Sequence, residues 1–329
     1  MFHPSQTQPK DRSVKTRLPL LALAFSLALS LAGSPAFAAD KLKVLLDWFV
    51  NPDHAPLIVA REGGFFERAG LDVELVAPAD PSAPPKLVAA GHADIAISYQ
   101  PNLHLIVKEG LPLTRIGTLV ETPLNSLVVL ADGPIKSIAD LKGRKVGFSV
   151  GGFEDALLGK MLESAGLSLD DVTLINVNFS LSPALITGQV DAVIGAFRNF
   201  EMTQLDIEKR PGMAFYPEEN GVPMYDELIF LARNSSLDDD RLKRFLAAVE
   251  MATVYLTNNP KKALTLFLKA HPDLDNELNR RAWFDTLPRF AKRPAALDAG
   301  RYERFAAFMK ERGLIEKIVP VETYAKAIR

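Results

Sequence analysis

Short apolar runs alternate with amphipathic stretches along most of the chain. From residue 43 onward the pattern predicts a strand at 43–46, a helix at 56–68, a strand at 73–76, a short helix at 84–90 and a strand at 95–97. About a hundred residues later the same order returns, with strands at 145–148, 172–177 and 193–194 and helices at 154–165 and 184–187. Alternation of this kind implies βαβ units and a mainly parallel sheet, an α/β fold. The residues recur as well as the pattern. Glu67-x-Ala69-Gly70-Leu71 answers to Glu163-x-Ala165-Gly166-Leu167 at an offset of 96, and Gly91-x-x-Asp94-x-x-Ile97 to Gly188-x-x-Asp191-x-x-Ile194 at 97. Two near-equal offsets imply two lobes of one design. Each recurring piece has a local reason: the glycine ends a helix in the left-handed conformation, and the aspartate bonds turn amides before an apolar strand. Asp94 and Asp191 are therefore read as architectural.

The last hundred residues differ, being dominated by long amphipathic helices at 239–256, 260–270 and 302–312. The expected organisation is a first lobe built from 39–132 and 228–329, with 133–227 inserted as a second lobe. Two such lobes joined by crossing strands enclose a ligand cleft that closes by hinge motion.

The first 38 residues belong to neither lobe. Lys10, Arg12, Lys15 and Arg17 face one acid, Asp11, and precede an apolar run at 18–31 and the small-x-small triplet Ala36-Phe37-Ala38. This is the form of a secretory signal peptide cleaved after Ala38; the run falls short of the ~20 apolar residues of a membrane span. No Arg-Arg pair directs it to the twin-arginine route. The whole chain has 329 residues, with Lys+Arg 38 against Asp+Glu 40, and no Cys; removal of the leader leaves 291 residues of net charge −5. Without Cys there is no disulfide, thiolate metal site, catalytic thiol or lipidated cysteine anchor. Near-balanced charge offers nothing to a nucleic-acid backbone. The expectation is an exported periplasmic monomer with no nucleic-acid partner.

Open α/β sheets bind ligands beyond the carboxyl ends of their strands, so the loops there are searched for chemistry. After the first strand, residues 47–56 hold one of two Trp and one of five His. Trp48 either caps the core or offers a face to a planar ligand, Asn51 stands in the same loop, and His54 reads as a helix-entry or loop-fixing group. After the second strand, the proline-rich loop 77–85 carries Asp80 and Ser82, a turn former and a helix cap that could also reach the cleft. After the third, Ser98-Tyr99-Gln100 gathers hydroxyl, phenol and amide groups. In the second lobe Gly151 and Gly152 open a helix, where backbone N–H groups could approach a ligand or merely form a turn. Glu154 and Asp155 in that first turn argue against a phosphate. Phe197, Arg198 and Glu201 follow the matching strand; the glutamate could accept hydrogen bonds from an aminopyrimidine-like edge or pair with Arg198. Tyr225 lies beside the expected crossover, and Trp283 is read as core. No catalytic triad order, metal-spaced cluster or basic-aromatic stripe is present, so neither enzyme chemistry nor a cofactor is expected.

In these loops the chain resembles the NMT1/THI5-like periplasmic solute-binding proteins, and among them the ThiY type that binds formylaminopyrimidine. The likeness rests on LDWFVNPDHAPLIVA at 46–60, the glycine-FF segment at 63–67, PADPSAPPKLVAAGHADIAISYQP at 78–101, LKGRKVGFSVGG at 141–152 and GQVDAVIGAFRNFE at 188–201. The resemblance implies a type II periplasmic-binding-protein fold and capture of a thiamine-pyrimidine precursor, a small heteroaromatic ligand, for an ABC permease and its ATPase. It implies ring contacts by Trp48 and Tyr99, a cleft lined by Asn51, His54, Ser82 and Gln100, and a polar contact by Glu201. Many members carry Trp in the GA-x-x-N-x-E loop where this chain has Phe197 and Arg198, a departure that leaves room for another heteroaromatic such as riboflavin. The family also includes pyrimidine synthases that use a histidine at the place of His54 with a Cys cluster and iron; a chain with no Cys and an export leader departs from them.

Overall fold

The computed structural model describes residues 1–4, 6–7 and 39–328, so the leader lies almost wholly outside the described residues. Among the described residues ten strands form: β1 (Asp40–Leu45), β2 (Leu71–Val76), β3 (Ile95–Ser98), β4 (Leu113–Val120), β5 (Asn125–Leu130), β6 (Lys145–Phe148), β7 (Thr173–Asn176), β8 (Ala192–Phe197), β9 (Gly212–Phe215) and β10 (Leu228–Arg233). They build two five-stranded sheets of identical plan, β2-β1-β3-β10-β4 and β7-β6-β8-β5-β9. In each, the first of the repeating strands pairs in parallel with the two that follow it (β1 with β2 and β3, β6 with β7 and β8), and one antiparallel strand sits second from the edge.

That antiparallel strand comes in both sheets from the chain as it crosses between lobes. β5 pairs with β8 and β9, so it belongs to the second sheet, although 125–130 was expected in the first lobe. The outgoing crossover is the short stretch 121–124. Periodicity could not place it, because β4 and β5 are both continuous buried runs separated only by Glu121-Thr122-Pro123-Leu124, and nothing local distinguishes their partners. The return strand β10 enters between β3 and β4.

The sequence repeat is explained by matching backbone contacts. Asp94 Oδ2 accepts from the Lys43 amide at 2.8 Å, and Asp191 Oδ2 from the Lys145 amide at 2.9 Å, so each aspartate fixes the point at which its own strand begins to pair with the one beside it. Gly70 and Gly166 both adopt left-handed φ values, +69° and +71°, between a helix and the following strand segment. The helix expected at 56–68 is broken at Gly63-Gly64 into α1 (Ala55–Glu62) and α2 (Phe65–Arg68). Helices α3 (Pro84–Ala89), α4 (Gln100–Lys108), α5 (Phe153–Glu163), α6 (Leu181–Ile186) and α7 (Glu201–Ile207) follow. The chain ends in α8 (Asp240–Asn258), α9 (Pro260–Ala270), α10 (Glu277–Thr286) and α11 (Ala299–Glu311). Among the described residues no helix is long and apolar enough to cross a membrane.

The apolar core of the first lobe joins β1 and β10 to α1 and α8 through Val44, Ile58, Phe230, Phe245 and Leu246. It also takes in Val150, Phe153 and Leu157 of the second lobe, while Trp48 of the first packs into the second lobe's cluster with Val177, Leu181 and Leu205. The lobes thus share apolar contacts around the cleft.

The C-terminal segment is held by Arg115, buried in β4. Its guanidinium donates to Thr118 Oγ1 at 2.6 Å, to the Ala296 carbonyl at 2.5 Å and to the Lys326 carbonyl at 3.2 Å. Removing it leaves the buried Thr118 hydroxyl without its donor and opens a cavity in β4, while the part-buried carbonyls lose the cation that ties the segment down. Arg115→Ala is expected to lower unfolding free energy in urea by about 3 kcal/mol, whereas Arg61→Ala, at a half-buried ion pair with Glu62, should stay within about 0.5 kcal/mol of the parent.

Candidate ligand-binding site

The loops at the strand ends of both sheets meet around a narrow cavity of about 20 Å³, well below the ~300–1,000 Å³ usual for small-molecule sites, so the lobes stand close together around it. The first lobe contributes Asp47, Trp48, Asn51 and Asp53 from the loop after β1, and Tyr99 from the end of β3. The second contributes Ser149 and Glu154 around the start of α5, Leu181, Gly195 and Phe197 of β8, and Phe200 and Glu201.

Asp47 organises the first-lobe side. His54 Nε2 donates to its Oδ1 at 2.9 Å and the Tyr99 hydroxyl to its Oδ2 at 3.0 Å. His54 Nδ1 in turn accepts from the Asn51 amide at 3.4 Å, which assigns the proton to Nε2. Asn51 caps the turn Pro52–His54, its Oδ1 accepting from the Asp53 amide at 2.7 Å. His54 is wholly buried and does not line the cavity; it fixes the loop that carries Trp48, Asn51 and Asp53.

Aromatic rings meet across the cleft. Tyr99 stacks on Phe153 with centroids 4.8 Å apart, and Trp48 meets Phe179 edge-on at 4.6 Å. Burial and the Asp47 charge hold the Tyr99 phenol well above its ordinary pKa, so it remains a donor.

Two glutamates of the second lobe face this wall. Glu154 Oε2 accepts from the amides of Ser149 at 2.8 Å and Val150 at 3.2 Å. Its Oε1 lies 2.5 Å from where a Cβ on Gly195 would stand, so only glycine at 195, with φ +98°, admits the carboxyl. Glu201 Oε2 accepts from the Phe197 amide at 2.7 Å. Burial pushes both carboxyls up to about 8, which leaves them largely protonated at neutral pH. Arg198 does not pair with Glu201. It turns outward to Glu218, at 2.6 and 3.1 Å, with its guanidinium 4.0 Å from the Tyr216 ring centre.

Of the residues singled out from the sequence, Trp48, Asn51, Tyr99, Phe197 and Glu201 line the cavity. The others serve the scaffold. Ser82 donates to Asp80 Oδ1 within its own proline-rich turn, and Gln100 Oε1 accepts from the Asp226 amide at 2.8 Å. Gly151 and Gly152 form an exposed turn whose tightness is what lets Glu154 reach back to its own loop; Tyr225 is buried against Phe305. Sequence reasoning missed Asp47, Asp53, Ser149, Glu154, Leu181, Gly195 and Phe200. Glu154 and Asp53 look in the sequence like ordinary first-turn acids, and only the burial of their turns gives them a cavity face.

The cavity therefore has aromatic walls and four carboxyl groups, of Asp47, Asp53, Glu154 and Glu201, with no Lys or Arg among the lining residues. Among the described residues no cluster of His, Cys, Asp and Glu is placed to hold a metal ion. Such a site suits a planar, uncharged or cationic ring rich in N–H donors and ring acceptors, and disfavours an anion. Because the folded-state values for Glu154 and Glu201 lie above the ordinary 4.5, the folded protein binds more protons than the unfolded chain between about pH 5 and 8, and stability falls as pH rises through that window. Unfolding free energies measured at pH 6 and 8.5 should drop by roughly 1–3 kcal/mol more in the parent than in each of Glu154→Gln and Glu201→Gln.

Comparison with known proteins places this geometry in a family. The NMT1/THI5-like family model matches residues 51–263. A Haemophilus influenzae protein named for thiamine biosynthesis is 54% identical over 316 residues, 96% of this chain and 100% of its own. A formylaminopyrimidine-binding protein of Halalkalibacterium halodurans is 35% identical over 233 residues, 70% of this chain and 71% of its own. More distant relatives are named 4-amino-5-hydroxymethyl-2-methylpyrimidine phosphate synthase, one from Legionella pneumophila being 26% identical over 288 residues, 83% of this chain and 88% of its own. Among solved structures, the alkanesulfonate-binding protein of Xanthomonas axonopodis pv. citri bound to MOPS superimposes with a TM-score of 0.69 at 16% identity, covering 87% of this chain and 97% of that one. That likeness concerns the fold. The chain belongs to the NMT1/THI5-like family and has the two-lobed type II fold of the periplasmic binding proteins.

Proposed function

We propose that this protein is the exported substrate-binding component of an ABC importer, which captures a thiamine-precursor pyrimidine in the interlobe cavity and delivers it from the periplasm to a permease and its ATPase. Formylaminopyrimidine and hydroxymethylpyrimidine are the ligands of choice. The observation that carries the reading is the cation-free cavity itself: Trp48, Tyr99, Phe197 and Phe200 offer ring faces and edges, and the carboxyls of Glu154 and Glu201 sit among them. A protonated carboxyl both donates and accepts, which matches the ring nitrogen and neighbouring amino group of a 4-aminopyrimidine. The relative named for formylaminopyrimidine binding supports the same ligand class.

The fold neighbour's sulfonate is not carried over, because an anion would meet four acids and no base. His54 supports binding over chemistry, since it is wholly buried with both ring nitrogens engaged, by Asp47 and by the Asn51 amide. Ring stacking contributes ~0.5–1.5 kcal/mol beyond burial and each hydrogen bond to a protonated carboxyl ~0.5–1.5 kcal/mol, which add to the burial of the ring itself toward micromolar binding near −8 kcal/mol.

Protein comprising residues 39–329 should gain thermal stability with formylaminopyrimidine or hydroxymethylpyrimidine and convert neither. No shift with any pyrimidine, together with a shift with flavin or taurine, would overturn the assignment. By calorimetric titration Trp48→Ala and Glu201→Ala should each bind at least tenfold more weakly while circular dichroism reports an unchanged fold; parent affinity in both would remove this cavity as the site.

A further inference from the structure

Asp53 has a position that its place in a tight turn does not explain. It stands in the 3₁₀ turn Pro52–His54 of the first lobe, is about 1% exposed, and lines the cavity. Its Oδ1 accepts from Asn199 Nδ2 at 2.6 Å, and Asn199 lies between β8 and α7 of the second lobe. The same Nδ2 donates its other hydrogen to Thr286 Oγ1, 2.7 Å away at the end of α10. Thr286 gives its own hydrogen to the Ala282 carbonyl at 2.7 Å, so it serves Asn199 as an acceptor. Both hydrogens of the Asn199 amide are thus spent on the first lobe and the C-terminal segment, in a buried place where neither can exchange for water at no cost. Asp53 Oδ2, by contrast, is buried with no hydrogen-bond partner in the protein. A buried carboxylate oxygen left without a donor is expensive, and burial already pushes the Asp53 carboxyl up to about 6.

We infer that Asp53 is a ligand-binding residue that fastens capture to closure: Oδ2 accepts an N–H from the exocyclic amino group of the bound ring while Oδ1 holds Asn199 across the cleft. This rests on the reading of the cavity as a pyrimidine site. One carboxyl shared in this way makes each contact strengthen the other. A donor on Oδ2 keeps the carboxylate ionised, and an ionised Oδ1 is the stronger acceptor for Asn199. Ligands without the amino group leave Oδ2 unpaired and close the lobes less firmly. Two further ion pairs between the C-terminal helices and the second lobe, Arg281 to Asp206 at 2.7 Å and Arg312 to Glu163, lie at the more exposed rim, where screening weakens them.

The chain has no Cys, so Leu87→Cys in α3 and Asp170→Cys in the second lobe, both at exposed positions, provide background-free spin-label sites for an interlobe distance. The probes are 4-amino-5-hydroxymethyl-2-methylpyrimidine and the same ring with hydrogen in place of the amino group. In the parent the amino-bearing ring should bind at least tenfold more tightly and shorten the interlobe distance. Asp53→Asn, close in size, turns a donor toward the ligand and should lose most of that preference. Asn199→Ala should keep the preference, release the ligand at least tenfold faster and broaden the distance distribution; Asn199→Ser repeats the test should the alanine variant fold poorly. An unchanged preference in Asp53→Asn, or a parent-like release rate in Asn199→Ala, would overturn the inference. If the parent binds neither ring, the pyrimidine reading fails by itself, and a parent-like interlobe distance in ligand-free Asn199→Ala then overturns the fastening role.

Discussion

The two lobes depend on one buried carboxylate at the place where the chain crosses between them. Glu227, just ahead of β10, accepts through Oε2 from the amides of Leu124 at 2.6 Å and Asn125 at 2.9 Å, the residues that lead into β5. From the second lobe Arg198 takes the carbonyls of the same two residues, at 3.3 and 3.0 Å, and Asn125 Oδ1 accepts from the Gly195 amide at 3.0 Å. Both polar edges of the outgoing crossover are therefore satisfied by groups from the return crossover and from the loop beside the cavity. A crossover passes through the protein interior without a ladder of its own, and its amides would otherwise be orphaned. Burial pushes Glu227 up to about 7, against the pull of those two amides and of Arg198. Its neighbour Asp226 binds Thr118 and Tyr302 through Oδ2, at 2.8 and 2.9 Å, and thereby ties the hinge to β4 and α11. Relative motion of the lobes must turn about this fixed pair of strands.

The same economy of backbone and carboxyl explains the cavity. Glu154, Glu201 and Glu227 each accept from main-chain amides a few residues from a strand end, and each is raised by desolvation with too little positive charge nearby to reverse it. An acid held in this way keeps its place in the loop whether or not it carries a proton, since the accepting oxygen is already committed. In the cavity, the remaining oxygen of Glu154 and Glu201 then offers a hydroxyl donor when the acid is protonated and an acceptor when it is ionised. The loop geometry and the recognition chemistry thus rest on the same side chains.

Much of this was legible in the sequence where the signal is local. The strand–helix alternation, the offsets of 96 and 97 residues and the aromatic loop after the first strand follow from near neighbours, and Gly70 and Gly166 take the left-handed conformation expected of them; Asp94 and Asp191 are architectural as expected, but through the amides of Lys43 and Lys145 in neighbouring strands rather than through turn amides. What escaped depends on partners distant in sequence. β5 looks like any buried strand, and only its pairing with β8 assigns it to the second sheet. Arg198 and Glu201 are three residues apart and of opposite charge, yet Glu218 takes the arginine. Ser82 stands in a strand-end loop like the lining residues and Gln100 adjoins Tyr99, but the turn at Asp80 and the amide of Asp226 claim them first. Cavity residues such as Glu154 and Gly195 became visible only together, because the missing side chain of one makes room for the carboxyl of the other.

The exchange of antiparallel strands sets an order for assembly. The second sheet is complete within the continuous stretch from β5 to β9, whereas in the first sheet β4 meets β3 only through β10. A chain emerging from its N-terminus can pair β1, β2 and β3, but β4 must wait, edge exposed, for more than a hundred residues. The inserted lobe is then the first able to finish, and the last strand to arrive both completes the earlier lobe and brings Glu227 to the hinge. The cleft is in this sense the final product of folding: it cannot exist as a half-made trap before β10 has taken its place between β3 and β4.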